Sequence, residues 1–368
     1  MTVSEGRVHI QAGGHLACQG HLVQEKTGSI RLSGHLSLGA NWHWENLHPG
    51  QHPVLADGGW CLLGGLRPQS MTGAVPLQLS HFHQGNPAGL SLGQDLSLSG
   101  ILRLDQGIIQ VDEAYKIRIH SSAHDAIQEA GYQTYIAGKL ERKMEGEHRY
   151  TFPVGTEEKY ALTEIQLTNP EEAQYLAVTY RDHLQSLPHP IDNYEGLEQI
   201  GHWRIYGNEN REGNIDLGIW VPQASLSQDP ENLSLLQFNG MSWAEGLNEG
   251  YVEAGDTLAK FRRVFNGLGE FALAIKEDPS LSNGFTTGLE AFLAHSYPYS
   301  TQQSMHIYLP RPDQGRLQLW DSGGRLVWNQ SGNFPAGWKV IPLDASQTCS
   351  PCLLRFTSGQ RQLTRKIW

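Results

Sequence analysis

The chain has 368 residues, a formal net charge of -11 and only 18% charged residues. Its length predicts two or three domains, each large enough to bury a core of its own. The negative charge argues against nucleic acid or an anionic membrane surface as a partner, because both bind basic patches. No run of 18 or more apolar residues occurs, so we expect no membrane-spanning helix. The 41 glycines and 18 prolines suit an all-β chain with many turns.

The first residues of the chain carry neither the charged nor the apolar segment of a signal peptide. If the protein is exported, we therefore expect the sequence to be a fragment, a processed form or a recombinant product.

The N-terminal part, 1–127, repeats a short phrase in which apolar residues alternate over three to five positions before a Gly or Asn. The phrase runs through 8–44 and returns in 89–119. Strands this short cannot each bury a face alone, whereas stacked strands bury a continuous core. The repeat predicts a β-helix or β-solenoid-like ladder, for which we favour a right-handed β-helix. We expect 46–72, rich in Pro, Gly and His, to interrupt the ladder as a long excursion.

Three Gly-His-Leu copies place His15, His21 and His35 at equivalent points of the repeat. Without an acidic or Cys partner at ligand spacing, we expect these side chains to face solvent rather than to bind a metal. The segment Gly89–Gly93 matches the G-x-S-x-G nucleophile pattern. That elbow must lie between a strand and a helix, and because a second strand is predicted after it, we reject this interpretation.

Four cysteines are present: Cys18, Cys61, Cys349 and Cys352. The last two have C-x-x-C spacing, but the βαβ context of a redox motif is missing, so a structural disulfide or two free thiols is favoured. Cys18 and Cys61 are too far apart in sequence to complete a zinc site with them. We therefore predict no metal and no cofactor.

The middle part, 128–276, predicts a β-sandwich. It begins with Ile136-x-Gly138-x-Leu140-x-Arg142 and continues with Phe152-Pro153-Val154-Gly155. These motifs resemble a module of long surface proteins of Bacteroidetes-type bacteria, in which a repetitive ladder precedes a "Phe-Pro-Val-Gly" β-sandwich. Ile136 stands where that module has Val. The resemblance covers both the ladder and the sandwich.

Two groups of residues in the sandwich are candidate ligand sites. Trp203, Trp220 and Trp243 lie in alternating strands and could stack on a sugar. Tryptophans in such strands more commonly face inward and belong to the core. A polar stretch supplies side-chain oxygens, as a calcium loop would, from Asn208, Asn210, Glu212 and Asp216. Because Ile219 stands where a calcium loop has a bidentate Glu, we favour a solvated hairpin.

After a predicted linker, 277–293, the tail 294–368 again alternates apolar and polar residues between turns. About seven short strands predict an Ig-like β-sandwich. The order of its motifs resembles the type A C-terminal sorting domain of the type IX secretion system. The residues that carry the resemblance are Tyr297, Pro298, Leu317, Leu319, Asp321, Gly324, Arg325, Leu326, Val327 and Lys366. Two places depart from the family: Tyr299-Ser300 replaces Asn-Pro, and Ser350-Pro351-Cys352 replaces Gly-Ile-Tyr.

The resemblance implies recognition by the type IX secretion machinery and an extracellular or outer-surface location. We therefore expect a non-catalytic secreted or cell-surface protein, such as an adhesin, stalk or matrix component, with glycans or surface and matrix proteins as further partners. The alternative is a carbohydrate-binding module, or a polysaccharide lyase or hydrolase acting in the groove of the ladder. Carboxylates such as Asp112, Glu113, Asp182 and Asp192 have no supporting catalytic motif.

Overall fold

The structure is a computed structural model that describes residues 1–45, 52–168, 173–182, 194–207, 214–240, 242–247, 250–254, 257–276, 290–295, 303–309, 313–321, 323–334, 337–343, 352–358 and 361–367. Strands are the predominant element of the described residues. In these ranges the only helical elements are two short 3-10 turns, Gln223–Ser225 and Pro230–Asn232. The predicted all-β class is therefore confirmed. No helix among the described residues is long and apolar enough to cross a membrane.

The N-terminal region is a β-solenoid of about seven turns, as predicted. Its strands within the described parts of 1–144 are β1 (Thr2–Val3), β2 (Arg7–Ile10), β3 (His15–Cys18), β4 (Leu22–Gln24), β5 (Ser29–Leu32), β6 (His35–Leu38), β7 (Trp42–Trp44), β8 (Val54–Ala56), β9 (Trp60–Leu63), β10 (Gln69–Gly73), β11 (Leu77–Leu79), β12 (His81–Gly85), β13 (Leu90–Gly93), β14 (Leu96–Leu98), β15 (Leu102–Gln106), β16 (Ile109–Val111), β17 (Ile117–Ile119), β18 (Ile127–Gln128), β19 (Ile136–Ala137) and β20 (Leu140–Met144).

Every third strand pairs in parallel with the strand one turn later, which gives three stacks. Sheet A begins β1-β4-β7-β10-β13-β16-β19, and sheet C is β3-β6-β9-β12-β15-β18. The third stack starts as β2-β5-β8, and β8 packs against β11, the first strand of sheet B, which continues β11-β14-β17-β20. Each face of the solenoid is thus a column of strands in register.

Alternation within each short strand builds the solenoid interior. Leu96 and Leu98 are buried and align with the buried Ile117 and Ile119 of the next turn. Arg118, between those two isoleucines, points outward because successive side chains of a strand lie on opposite faces. Each turn therefore adds a layer of apolar side chains to one continuous core.

The predicted excursion over 46–72 is wrong. Residues 46–51 lie outside the described part of the chain, but β8, β9 and β10 all belong to the ladder. Cys61 aligns with Leu36, and Met71 aligns with Trp42. The sequence pattern was hidden because Cys and Met, rather than Leu, occupy these interior positions, and because Pro and Gly separate the strands.

Two of the hydrogen-bonded sheets of the solenoid, A and B, continue into a β-sandwich, whereas sheet C ends at β18. The sandwich strands are β21 (Arg149–Gly155), β22 (Tyr160–Leu167), β23 (Gln174–Arg181), β24 (Tyr194–Gly207), β25 (Asn214–Pro222), β26 (Leu233–Phe238), β27 (Trp243–Ala244), β28 (Tyr251–Ala254), β29 (Leu258–Asn266) and β30 (Gly269–Lys276). Sheet A continues from β19 as β21-β22-β25-β29-β28, and sheet B continues from β20 as β23-β24-β30-β26-β27. Pairing is parallel up to β19–β21 and antiparallel beyond it. One buried apolar cluster extends through both regions.

The chain divides into two compact units, Met1–Lys276 and Glu277–Trp368. The strands described in the second unit are β31 (Glu290–His295), β32 (Gln303–Leu309), β33 (Asp313–Asp321), β34 (Leu326–Phe334), β35 (Gly337–Leu343), β36 (Cys352–Ser358) and β37 (Arg361–Ile367). They form two antiparallel sheets, β31-β32-β35 and β34-β33-β36-β37, in agreement with the predicted Ig-like sandwich. β31 begins inside the range predicted as linker.

Candidate functional site

A groove of about 1070 Å³ lies on the outer side of sheet A, next to the last turns of the solenoid. Its floor comes from strands and turns of the solenoid, and its walls come from the 129–135 loop and from the turn that joins β21 to β22. The lining residues are Pro68, Pro87, Ala88, Gly89, Leu90, Ser91, Asp105, Gln106, Gly107, Ile108, Gln110, Tyr132, Gln133, Thr134, Tyr135, Glu157 and Glu158.

Ser91 and Gln110 form the polar part of the groove floor. They align across neighbouring turns, and both project outward because their strand neighbours are buried in the core. The Ser91 hydroxyl donates a hydrogen bond to Oε1 of Gln110, at 3.2 Å. The amide of Gln110 therefore keeps its two N–H donors for a ligand.

Tyrosines form one wall. Tyr132 is 59% exposed, and its ring meets the edge of Tyr160 with centroids 6.0 Å apart. Tyr135 and Tyr160 are buried, lie 5.2 Å apart, and form with Ala137 a small apolar cluster outside the main core. Burial raises the pKa of each of these two hydroxyls to about 12, so both rings are neutral at physiological pH.

The loop that carries Tyr132 is held by its own hydrogen bonds. The backbone groups of Gly131 and Thr134 bond to each other in both directions, at 3.1 and 3.0 Å. The Thr134 hydroxyl also donates to the carbonyl of Glu129, a residue with a positive φ of 60°. This tight turn presents the Tyr132 ring at its tip.

The charge of the groove is negative. Asp105, Glu157 and Glu158 line it, and no Lys or Arg is found among the described residues of the lining. Burial opposes ionisation of Asp105, but hydrogen bonds from Arg103 (2.8 Å) and His83 (2.7 Å) outweigh it and hold the pKa of this carboxyl below its ordinary value. Asp105 is thus a fixed anion at neutral pH.

A smaller cavity of about 410 Å³ adjoins the groove and shares Glu157 with it. Its lining is more basic, with Lys139, Arg181 and Arg204. The Arg204 guanidinium lies 5.5 Å from the ring centre of Tyr206. The two cavities therefore differ in the sign of the charge that they present.

The three predicted tryptophans do not form a row, and none of them lines the groove. Trp203 is fully buried in the core, where its indole N–H donates to the carbonyl of Ala161 at 3.3 Å. Trp220 is half-buried on the outer side of sheet A, with the Lys260 ammonium 4.5 Å above its ring. Trp243 lies on strand β27 of sheet B and packs against Phe238 at 5.3 Å.

Of the predicted calcium ligands, Asn208, Asn210 and Glu212 lie outside the described residues. Asp216 accepts hydrogen bonds from Arg149 (2.8 Å) and from two nitrogens of Arg262. Its charge is therefore already balanced by guanidinium groups. No group of three or more His, Cys, Asp or Glu side chains arranged to hold a metal occurs in the part of the chain that the structure describes.

The repeated histidines of the ladder lie at the surface. His15, His21 and His35 are exposed, and Leu22 and Leu36 beside them are buried, as predicted. The predicted equivalence is wrong for His21, because His15 and His35 align on β3 and β6 of sheet C whereas His21 precedes β4 of sheet A. Ser91 of the rejected G-x-S-x-G match lies on β13 and is followed by another strand, β14.

The cysteines of the solenoid are buried free thiols, and burial raises the pKa of Cys61. Of the C-x-x-C pair, Cys349 lies outside the described residues and Cys352 begins β36.

The sandwich-module motif surrounds a buried arginine. The Arg142 guanidinium donates to the carbonyls of Thr151 (2.6 Å), Ala123 (3.1 Å) and His124 (3.2 Å). It lies 5.8 Å from the ring centre of Phe152, and burial lowers its pKa to about 10. Because the carbonyls belong to the last solenoid turns and the first sandwich hairpin, Arg142 joins the two regions.

In the second unit, the residues of the sorting-type motif form a closed hairpin turn. Asp321 Oδ1 accepts the backbone N–H groups of Gly323 (3.0 Å) and Arg325 (2.9 Å), and Oδ2 accepts Arg325 Nε at 3.0 Å. Gly324 has a φ of +78°, which favours glycine. Together these contacts fix the turn.

The other motif residues flank this turn where they are described. Leu317 and Leu319 are buried on β33, and Leu326 and Val327 begin β34. Lys366 lies in β37, whereas Tyr297 and Pro298 fall outside the described residues.

Comparison with known proteins gives no family: no protein-family model matches the chain, and no curated protein matches it.

Proposed function

We propose that the chain is a non-catalytic β-protein, exported through the type IX secretion system and displayed on the outer cell surface or released. The observation that carries this proposal is the Asp321–Arg325 turn, because Asp321, Gly324 and Arg325 of the sorting-type motif close one turn within a separate compact unit. A sorting signal has to be recognisable independently of its cargo, and a compact C-terminal unit meets that requirement.

A transport assay tests the proposal. Residues 277–368 are fused to the C-terminus of a fluorescent reporter with a signal peptide, in a bacterium that has the type IX machinery. We expect reporter on the surface or in the medium only when the translocon is present. Arg325→Ala, which removes the side-chain ion pair with Asp321 and leaves the two backbone bonds of the turn, should lower export, whereas Arg316→Ala, an exposed arginine of the same strand pair, should not. Retention of the unmodified fusion in the periplasm of both strains would contradict the proposal.

A second candidate function is carbohydrate binding, which the groove on sheet A favours. An exposed tyrosine beside convergent amide, hydroxyl and carboxylate groups is suited to a sugar chain. For a hydrolase or lyase in the same groove, Asp105 is a poor general acid, because Arg103 and His83 keep it ionised.

A further inference from the structure

We propose that the groove on sheet A binds a neutral oligosaccharide, with the Tyr132 ring stacked on a sugar face and Gln110 bonded to sugar hydroxyls. This inference deepens the second candidate function. It does not depend on how the protein is exported, so each proposal fails by its own experiment.

The placement of Tyr132 is the first argument. An aromatic ring that is 59% exposed at the tip of a loop covers none of the main core, so its apolar surface is free for a ligand. The paired Gly131 and Thr134 hydrogen bonds and the edge contact with Tyr160 limit its movement. A ring held in place loses little entropy when a sugar stacks on it.

The polar groups of the floor and walls are the second argument. Amide side chains both donate and accept hydrogen bonds, which matches sugar hydroxyls, and carboxylates add strong acceptors. The solenoid strands supply Gln106 and Gln110, the 129–135 loop supplies Gln133, and the carboxylates come from Asp105, Glu157 and Glu158. Ser91 fixes Gln110 on a rigid sheet rather than on a loop, which keeps its donors in place.

Charge and size select the class of ligand. Glu157 and Glu158, together with an Asp105 already paired with Arg103 and no Lys or Arg in the described lining, would repel uronic acid polymers, phosphates and other anions. At about 1070 Å³, the groove is at the upper end of the range for small-molecule sites, roughly 300–1,000 Å³. A chain of several sugar units fits such an open trough better than a single small molecule does.

Affinity electrophoresis of the full chain tests the proposal. Native gels contain one soluble polymer each: mixed-linkage β-glucan, galactomannan or arabinoxylan as neutral probes, and polygalacturonate as the anionic one. We expect retardation by at least one neutral polymer, none by polygalacturonate, and less than about a twofold change in affinity between low and high salt, because salt screens only charged contacts.

Three variants locate the site. Tyr132→Ala should weaken retardation about tenfold, and Tyr132→Phe should retain most of it, because the ring face rather than the hydroxyl stacks on the sugar. Leu247→Ala removes an equally exposed apolar side chain outside the groove and should change nothing. If Tyr132→Ala melts early, Gln110→Ala, an outward strand position, tests the same groove and should also weaken binding.

Three outcomes would overturn the inference. One is that none of the neutral polymers retards the chain. Another is that folded Tyr132→Ala or Gln110→Ala binds as the unmodified protein does. The third is that the groove instead binds a basic peptide such as oligolysine in a salt-sensitive manner, which Tyr132→Ala leaves unchanged.

Discussion

The solenoid and the sandwich share two sheets and one apolar core, yet they bury their polar groups differently. In the solenoid, Gln24, Gln69 and Asn86 point inward and bond to turns and to neighbouring side chains; for example, the Trp42 indole N–H donates to Gln24 at 2.7 Å. In the sandwich, Asp216 and its arginines pair on the outer side of sheet A. Because a solenoid turn contacts only its neighbours, its stability is local, whereas the sandwich closes as one unit.

The comparison is sharpest at Arg142, where the two regions meet. Arg142→Ala would remove the guanidinium hydrogen bonds to three carbonyls, would leave Ala123 only the bond from the Ala126 N–H, and would open a cavity between Tyr150 and Phe152. We expect the free energy of unfolding of Met1–Lys276 to fall by about 3–5 kcal/mol, measured by urea denaturation.

Two controls belong with that measurement. Arg142→Lys keeps one cationic donor nitrogen at this position, so it should lose less stability than Arg142→Ala. The isolated unit 277–368 lacks Arg142 and should melt at the temperature of its own transition in the unmodified chain. A loss below about 1 kcal/mol for Arg142→Ala would show that the junction does not depend on these bonds.

A matched pair of core substitutions separates local from collective stability. Leu98 in the solenoid and Leu217 in the sandwich are both fully buried, so each change to Ala should cost about 2–5 kcal/mol. The difference should appear in hydrogen exchange: Leu98→Ala should raise exchange mainly in β11, β14 and β17, and Leu217→Ala throughout the sandwich strands. Identical, chain-wide exchange in both variants would contradict the local character of the solenoid.

The smallest expected effect is on the pH dependence of stability. Burial opposes ionisation of Asp216, but Arg262 and Arg149 outweigh it and place the pKa of Asp216 below its ordinary value of 3.8. A carboxyl with a lowered pKa in the folded state stabilises the protein above pH 3.8, and this contribution is lost as the pH falls through the folded pKa. Asp216→Asn should therefore cost about 1–3 kcal/mol at pH 7 and less at pH 2, measured by denaturation at each pH.

The solenoid provides the control for this pH effect. Asp57 also has a lowered pKa, chiefly through its hydrogen bond with Arg31, but both side chains are about half exposed. Solvent and salt screen such a pair, so we expect Asp57→Asn to leave the pH dependence of unfolding unchanged. An equal response to both substitutions would remove the distinction between the outer surfaces of the two regions.

Much of the fold could be predicted because the solenoid repeat appears in the sequence as a regular alternation of apolar and polar residues. Repeated apolar pairs such as Leu96 and Leu98 mark the inward positions of successive turns, and the tail shows the same alternation at Leu317 and Leu319. Strands β8, β9 and β10 were missed because Cys61 and Met71 fill interior positions where the pattern expects Leu.

The groove could not be predicted in the same way. Its residues come from several turns and from the 129–135 loop, and only the fold brings Ser91, Gln110 and Tyr132 together. The tryptophans were predicted as candidate sugar-binding residues because they are large aromatics, but Trp203 is a core residue. A usable signal was present: Ser91 and Gln110 are polar residues at outward positions of two consecutive turns.

The uninterrupted sheets A and B make the length of this molecule adjustable. Strands that pair on sheet A, such as Leu90–Gly93 and Ile109–Val111, repeat about once per turn, and neighbouring strands lie about 4.8 Å apart. Duplicating one such turn would lengthen the solenoid by one strand spacing. It would preserve the register in which β19 and β20 pair with the sandwich strands. The length of the solenoid can therefore change in steps of one strand spacing, while the Arg142 junction with the sandwich stays the same.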